Sequence, residues 1–297
     1  MLDPSTPGPT IALAPWIALA GGPDGADAVD REARARLRTL TLRAYQDGAT
    51  EPPEGSDAWA VTLPGHAPPL PPLLLAARTD LHDPAGLAGL AAALAVPALL
   101  ADAGLERDLV VVLTGRGRGG SDGGARATSS ALAGWFEHRR RHDVKAAVVV
   151  TRLRPARLGD LIHVAGVETD GRLPTVLEGA APPGWHLVLG RHGADGLPFA
   201  AHGTPYLRVG GPPGGAASQA GDGLDDLERL AAHAARLVAT LLLRLDAARL
   251  PGPFGGYDST GVEVAALTAA LGSRAGAFGG PPQGRADLDR LLAQLGY

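Results

Sequence analysis

Two aspartates and a histidine, Asp80, His82 and Asp83, crowd the end of an apolar run, LPPLLLAA over residues 70–77. Strand ends of this kind are where α/β enzymes carry their sites. Carboxylates and an imidazole so close together could hold a metal ion or move a proton. Asp83 also stands directly before Pro84, placed to cap a following helix, and capping outweighs ligation at that position. A second stretch, RHGADGLPFAAHGTP over residues 191–205, supplies Asp195 soon after His192.

Other chemistries are poorly served. GRGRGG at 115–120 follows an apolar run and matches the spacing of a dinucleotide-binding turn through Gly115, Gly117 and Gly120. It lacks the Gly-Lys-Ser/Thr ending of a phosphate-binding loop, no tight helix start follows, and Thr151 stands where a ribose-binding acid is needed. Ser121 lies too far beyond the strand end for a nucleophile elbow, and no Gly-x-Ser-x-Gly is present. His138 and His142 have helical spacing, but three arginines separate them, which reads as an exposed basic face.

Composition narrows the field further. The 297 residues carry a formal charge of −4, are 45% hydrophobic and contain no cysteine and one methionine. Disulfides, thiolate catalysis and cysteine-based metal sites are excluded, and the charge gives no general attraction to nucleic acid. Gly 42 and Pro 26 are concentrated in loops such as 210–218. Arginine replaces lysine almost throughout, as a coding bias does. The amino-terminal residues lack the basic start of a secretory signal, and the apolar run 238–243 is too short to span a membrane. The expectation is a soluble, cytoplasmic chain with no nucleic-acid or membrane partner.

The elements that must position these residues alternate. A charged helix is predicted over 26–46 and strands over 59–63 and the latter half of 70–77, followed by an apolar helix over 86–101. LVVVLT (109–114) and AAVVVT (146–151) are apolar at every position, as parallel strands covered on both faces are. A helix around 129–141 lies between them. Further strands are predicted over 161–164, 186–189 and 205–209, then a long helix over 224–250 and two short ones over 262–271 and 286–295. The order predicts an α/β fold, a three-layer sandwich around a mixed, mostly parallel sheet. Its expected divisions are a helical lead-in over 1–56, the α/β domain over 57–250 and a helical appendage over 251–297.

Taken in order, these segments resemble the zinc aminopeptidase family M28, over roughly residues 57–250. The resemblance implies a zinc-exopeptidase-like sandwich whose ligands stand at strand ends. Arg78-Thr79-Asp80 is similar to the family's His-x-Asp, with arginine for the first histidine. Asp83-Pro84-Ala85-Gly86 is similar to its Asp-Asn-Ala-x-Gly helix start, one residue short. Gly115 to Ser121 follows the track of Gly-Ala-Glu-Glu-x-Gly-Leu-x-Gly-Ser with both glutamates gone, Arg116 and Gly117 among the replacements. The next family aspartate falls at Thr151. Asp195-Gly196-Leu197-Pro198-Phe199 and Gly203-Thr204-Pro205 match Asp-His-x-Pro-Phe and Gly-Ile-Pro. The last family histidine falls between Gly214 and Asp222, where this chain has Ser218 and Gln219 and no histidine.

Two functions fit that pattern. The first is a non-catalytic M28-like protein with no zinc centre and no cofactor, which binds a peptide or protein partner or serves in assembly. Its vestigial cleft would comprise Asp80, Asp83, Arg116 and Asp195, with arginine–carboxylate pairs in place of metal; Arg78 and Arg118 extend the set. The second is a hydrolase or acyl-transfer enzyme acting on peptide or amide substrates by a changed metal set or without metal, through Asp80, Asp83, Asp195, His82 and His192. Convergence of those side chains on an open cleft favours the enzyme; ion pairs filling the cleft favour the silent fold.

Overall fold

The computed structural model describes residues 9–44, 49–50, 58–67, 70–79, 83–101, 103–115, 144–156, 158–191, 196, 199, 202–211, 223–250 and 257–295. The strands are β1 (Ala49–Thr50), β2 (Ala58–Leu63), β3 (Leu73–Arg78), β4 (Leu109–Thr114), β5 (Ala146–Val150), β6 (Leu161–Ala165), β7 (His186–Gly190) and β8 (Tyr206–Val209). They form one sheet in the order β1-β2-β4-β3-β5-β8-β6-β7. β3 pairs in parallel with β4 and β5, β5 with β8, and β6 with β7; β1 to β2, β2 to β4 and β8 to β6 are antiparallel. The sheet is therefore mixed with a parallel centre, as the apolar runs predicted.

Period-two alternation sorts the central strands between two faces. Leu73, Leu75 and Ala77 join Leu109, Val111, Leu113, Val148 and Val150 in the larger core. The helices over that face are α1 (Ala14–Ala20), α2 (Gly25–Ala44), α3 (Pro84–Leu100), α4 (Leu173–Leu177) and α5 (Leu224–Ala247). α3 has a nearly all-apolar surface and is buried against both the sheet and α5. α5 is amphipathic, burying Leu227, Leu230, Leu237, Val238, Leu241 and Leu245 along one stripe. On the opposite face Leu74, Ala76, Val110, Val112, Ala147 and Val149 gather around Tyr206, on which the Phe199 ring stacks with centroids 5.1 Å apart.

At the β7 end, α6 (Thr260–Leu271) packs along the strand. Its Val262 and Ala266 meet the larger core, while Leu267 and Leu271 join Leu161, Val188 and the leucines of α7 (Arg285–Leu295) on the other face. A helix laid along the last strand protects an edge that would otherwise invite pairing. Fully buried Glu263 of α6 accepts from Ser259 and pairs with Arg285 of α7, tying the two helices together.

The predicted helix around 129–141 lies outside the described residues. α1 and the short helix α4 were not predicted, and neither was the 3-10 turn Val167–Thr169. No described helix is long and apolar enough to cross a membrane.

Candidate functional site

The parallel strands β3, β4 and β5 end together on one rim, with Arg78 of β3 in register with Thr114 of β4. Both are buried, as are Thr79, which follows β3, and Thr151, which follows β5. This rim is where the family resemblance requires imidazoles and carboxylates, and its described threonines are hydrogen-bonded. Thr79 donates its backbone N–H to the Thr114 carbonyl at 3.0 Å and its hydroxyl to Asp30 Oδ1 of α2 at 2.8 Å. Thr114 donates its hydroxyl back to the Ala77 carbonyl at 3.3 Å. Thr151, in the position of a family aspartate, donates its hydroxyl to the Gly211 carbonyl at 2.9 Å.

Asp83 is the described member of the predicted cleft. It is in extended conformation ahead of α3 and accepts the Gly86 N–H on Oδ1 at 3.1 Å, an N-cap with proline in the first turn. Its other oxygen, Oδ2, accepts from Arg152 Nε at 2.8 Å. Both carboxylate oxygens are thus engaged. Arg152 stands two residues beyond β5 and so reaches the same rim; sequence reasoning passed over it, although its position after AAVVVT was the available signal. Asp80, Arg116 and Asp195, with His82, His192 and Arg118, lie outside the described residues.

The backbone packs closely against the end of β5. α3 lies so near the end of β5 that a Cβ on Gly89 would stand 1.9 Å from the Thr151 carbonyl oxygen. Gly210, at φ 116°, lets the chain after β8 fold onto Thr151 and Arg152; Gly211 donates its N–H to the Arg152 carbonyl at 2.8 Å. Only glycine takes that conformation without strain.

One imidazole is buried nearby. His163 of β6 sits in the sheet with Nδ1 3.1 Å from the Gly210 carbonyl oxygen. Burial, reinforced by the Arg208 guanidinium and partly offset by the Gly210 carbonyl, lowers its pKa to about 4. The ring is neutral at physiological pH.

The described donors do not suit zinc. Arg78 places a permanent cation where the family has an imidazole. Thr151 has no carboxylate, and both oxygens of Asp83 are taken. A dinuclear site needs several such ligands free and converging. Among the described residues no group of three or more histidine, aspartate or glutamate side chains is placed to hold a metal ion.

The fold is similar to that of solved aminopeptidases and glutaminyl cyclases. LapB from Legionella pneumophila superposes with a TM-score of 0.58 at 13% identity, covering 82% of this chain and 72% of that one. The LapA aminopeptidase of the same organism gives 0.54 at 12% identity, over 79% and 71%. A glutaminyl cyclase from an Acidobacteriales bacterium gives 0.53 at 18% identity, over 78% and 90%. No protein-family model and no curated protein matches the sequence.

Proposed function

We propose that the chain is a non-catalytic, metal-free protein of the M28-like fold that binds a peptide or protein partner or serves in assembly. The observation that carries this reading is Asp83, whose carboxylate is divided between the α3 cap and Arg152 on the rim that metal ligands would occupy. An ion pair of this kind gives the carboxylate the charge compensation that a metal would otherwise supply. Asp80, Arg116 and Asp195 belong to the same proposal as the remaining members of the vestigial cleft, with Arg116 paired to a carboxylate.

The test is hydrolysis of amino-acyl anilides by the full chain, with and without added zinc or cobalt. The expected result is no rate above the blank. A metal-dependent rate that disappears in Asp195→Asn overturns the proposal and restores the hydrolase reading.

A further inference from the structure

At the β7 edge of the sheet, separated from β5 by β8 and β6, a groove of about 450 Å3 opens between α4, β7 and α6. Its origin lies in the sequence of α6. That helix sends Leu267 and Leu271 to the other face of the sheet. Toward Leu187 and Leu189 of β7 it offers only Val262 and three alanines, Ala265, Ala266 and Ala269. A methyl group is too short to fill the space between helix and strand, so the gap that larger side chains would close stays open.

Trp185 supplies an aromatic wall, held in place by α5. The His233 ring lies 4.8 Å from it between centroids, and the Arg229 guanidinium stands 5.9 Å from its centroid while also pairing with Asp226. Apart from the indole N–H, the polar side chains at the groove are Thr175, Glu178 and His186, all exposed. No arginine or lysine lines it, and Glu178 is its one acid. Among the described residues the Glu178 carboxylate makes no hydrogen bond or ion pair. Its backbone carbonyl is engaged by Arg244 of α5, which also donates to the Val176 and Gly179 carbonyls and so fixes the turn that carries the carboxylate. A preformed apolar groove of this volume with a few polar groups at its margin is the usual form of a small-molecule site.

We propose that this groove binds small amphipathic cations, molecules with an aromatic or branched aliphatic body and an ammonium head. The body displaces water from Trp185, Leu187, Leu189 and the alanines of α6. The ammonium meets the unpaired Glu178 carboxylate, which repels an anion of the same shape. An extended polypeptide is a poor occupant, since its backbone N–H and C=O groups would be buried against leucine and alanine side chains. The groove lies apart from the Asp83 rim, so binding there is independent of whether the chain holds metal.

The experiment titrates the full wild-type chain with dansylcadaverine and, separately, with dansyl-6-aminohexanoic acid, which has the same body and linker but a carboxylate in place of the ammonium. Dansyl emission follows binding at about pH 7.5, where both heads are ionised. The cation saturates one site with a Kd of about 100 µM or tighter, at least about fivefold tighter than the anion. Three variants locate the site. Ala269→Trp, at an exposed position on α6, fills the groove and weakens the cation at least about tenfold. Glu178→Gln brings cation and anion to within about twofold of each other. Ala35→Trp, in a second cleft of about 480 Å3 beside Trp16, leaves both unchanged. No saturable binding of the cation, an anion bound as tightly, a Glu178→Gln protein that keeps the preference, or an Ala269→Trp protein that binds as wild type overturns the proposal. The two probes are compared on the wild type, so that arm does not depend on a variant folding.

Discussion

Arg152 Nε meets Asp83 Oδ2 at 2.8 Å across 69 residues of sequence, joining the end of β5 to the cap of α3. The two side chains remain about a quarter exposed, so solvent screens the pair. Arg152→Ala is expected to cost about 0.5–1 kcal/mol. Asp83→Ala removes the cap as well and is expected to cost about 1–2 kcal/mol. Urea titration of both variants and the double variant checks this: the double variant should fall short of the summed losses, since the same pair is removed in each.

At the neighbouring strand end, Thr151 and Gly89 admit little change. Thr151→Asp, which restores the residue type that the M28 pattern has there, sets a buried carboxylate against the Gly211 carbonyl. It is expected to destabilise by about 3 kcal/mol or more, well beyond Thr151→Val, which loses one hydrogen bond at about 1–2 kcal/mol. Gly89→Ala drives a methyl into the Thr151 carbonyl and is expected to cost about 2–3 kcal/mol through displacement of α3. Chemical denaturation of the three variants gives the ranking directly, and a Thr151→Asp protein as stable as wild type would mean that the rim is open.

Much of this architecture was legible in the sequence. The all-apolar runs of β4 and β5 announced parallel strands covered on both faces, and Asp83-Pro84 announced the cap of α3, because both signals are local. Arg78 and Thr114 share a rim because β3 and β4 run parallel and in register. The partners were less legible: Asp30 reaches Thr79 from 49 residues away, and no local pattern encodes such a contact. The insertion of β8 between β5 and β6 reverses chain order in the sheet and is likewise set by tertiary packing. α1 was missed because APWIALA is short and has no side-chain cap.

His163 provides a pH test. Its pKa in the folded protein, about 4, lies below the ordinary value near 6.5. The unfolded chain therefore binds more protons between those values, and stability falls as pH drops from about 6.5 to about 4. The full loss is on the order of 3 kcal/mol for this group. Denaturation midpoints measured across that range in wild type and in His163→Gln should show a shallower slope in the variant. Parallel slopes would show that the imidazole titrates normally.

The central claim, that the rim is closed by internal pairs rather than built around metal, is tested most directly by zinc content. Protein purified without chelator, equilibrated with equimolar zinc and desalted, is analysed for metal per chain. The account predicts fewer than about 0.1 zinc ions per chain, since the described donors at the strand ends are cationic or already bonded. One or two zinc ions retained per chain, and lost in Asp83→Asn or Asp195→Asn, would contradict it.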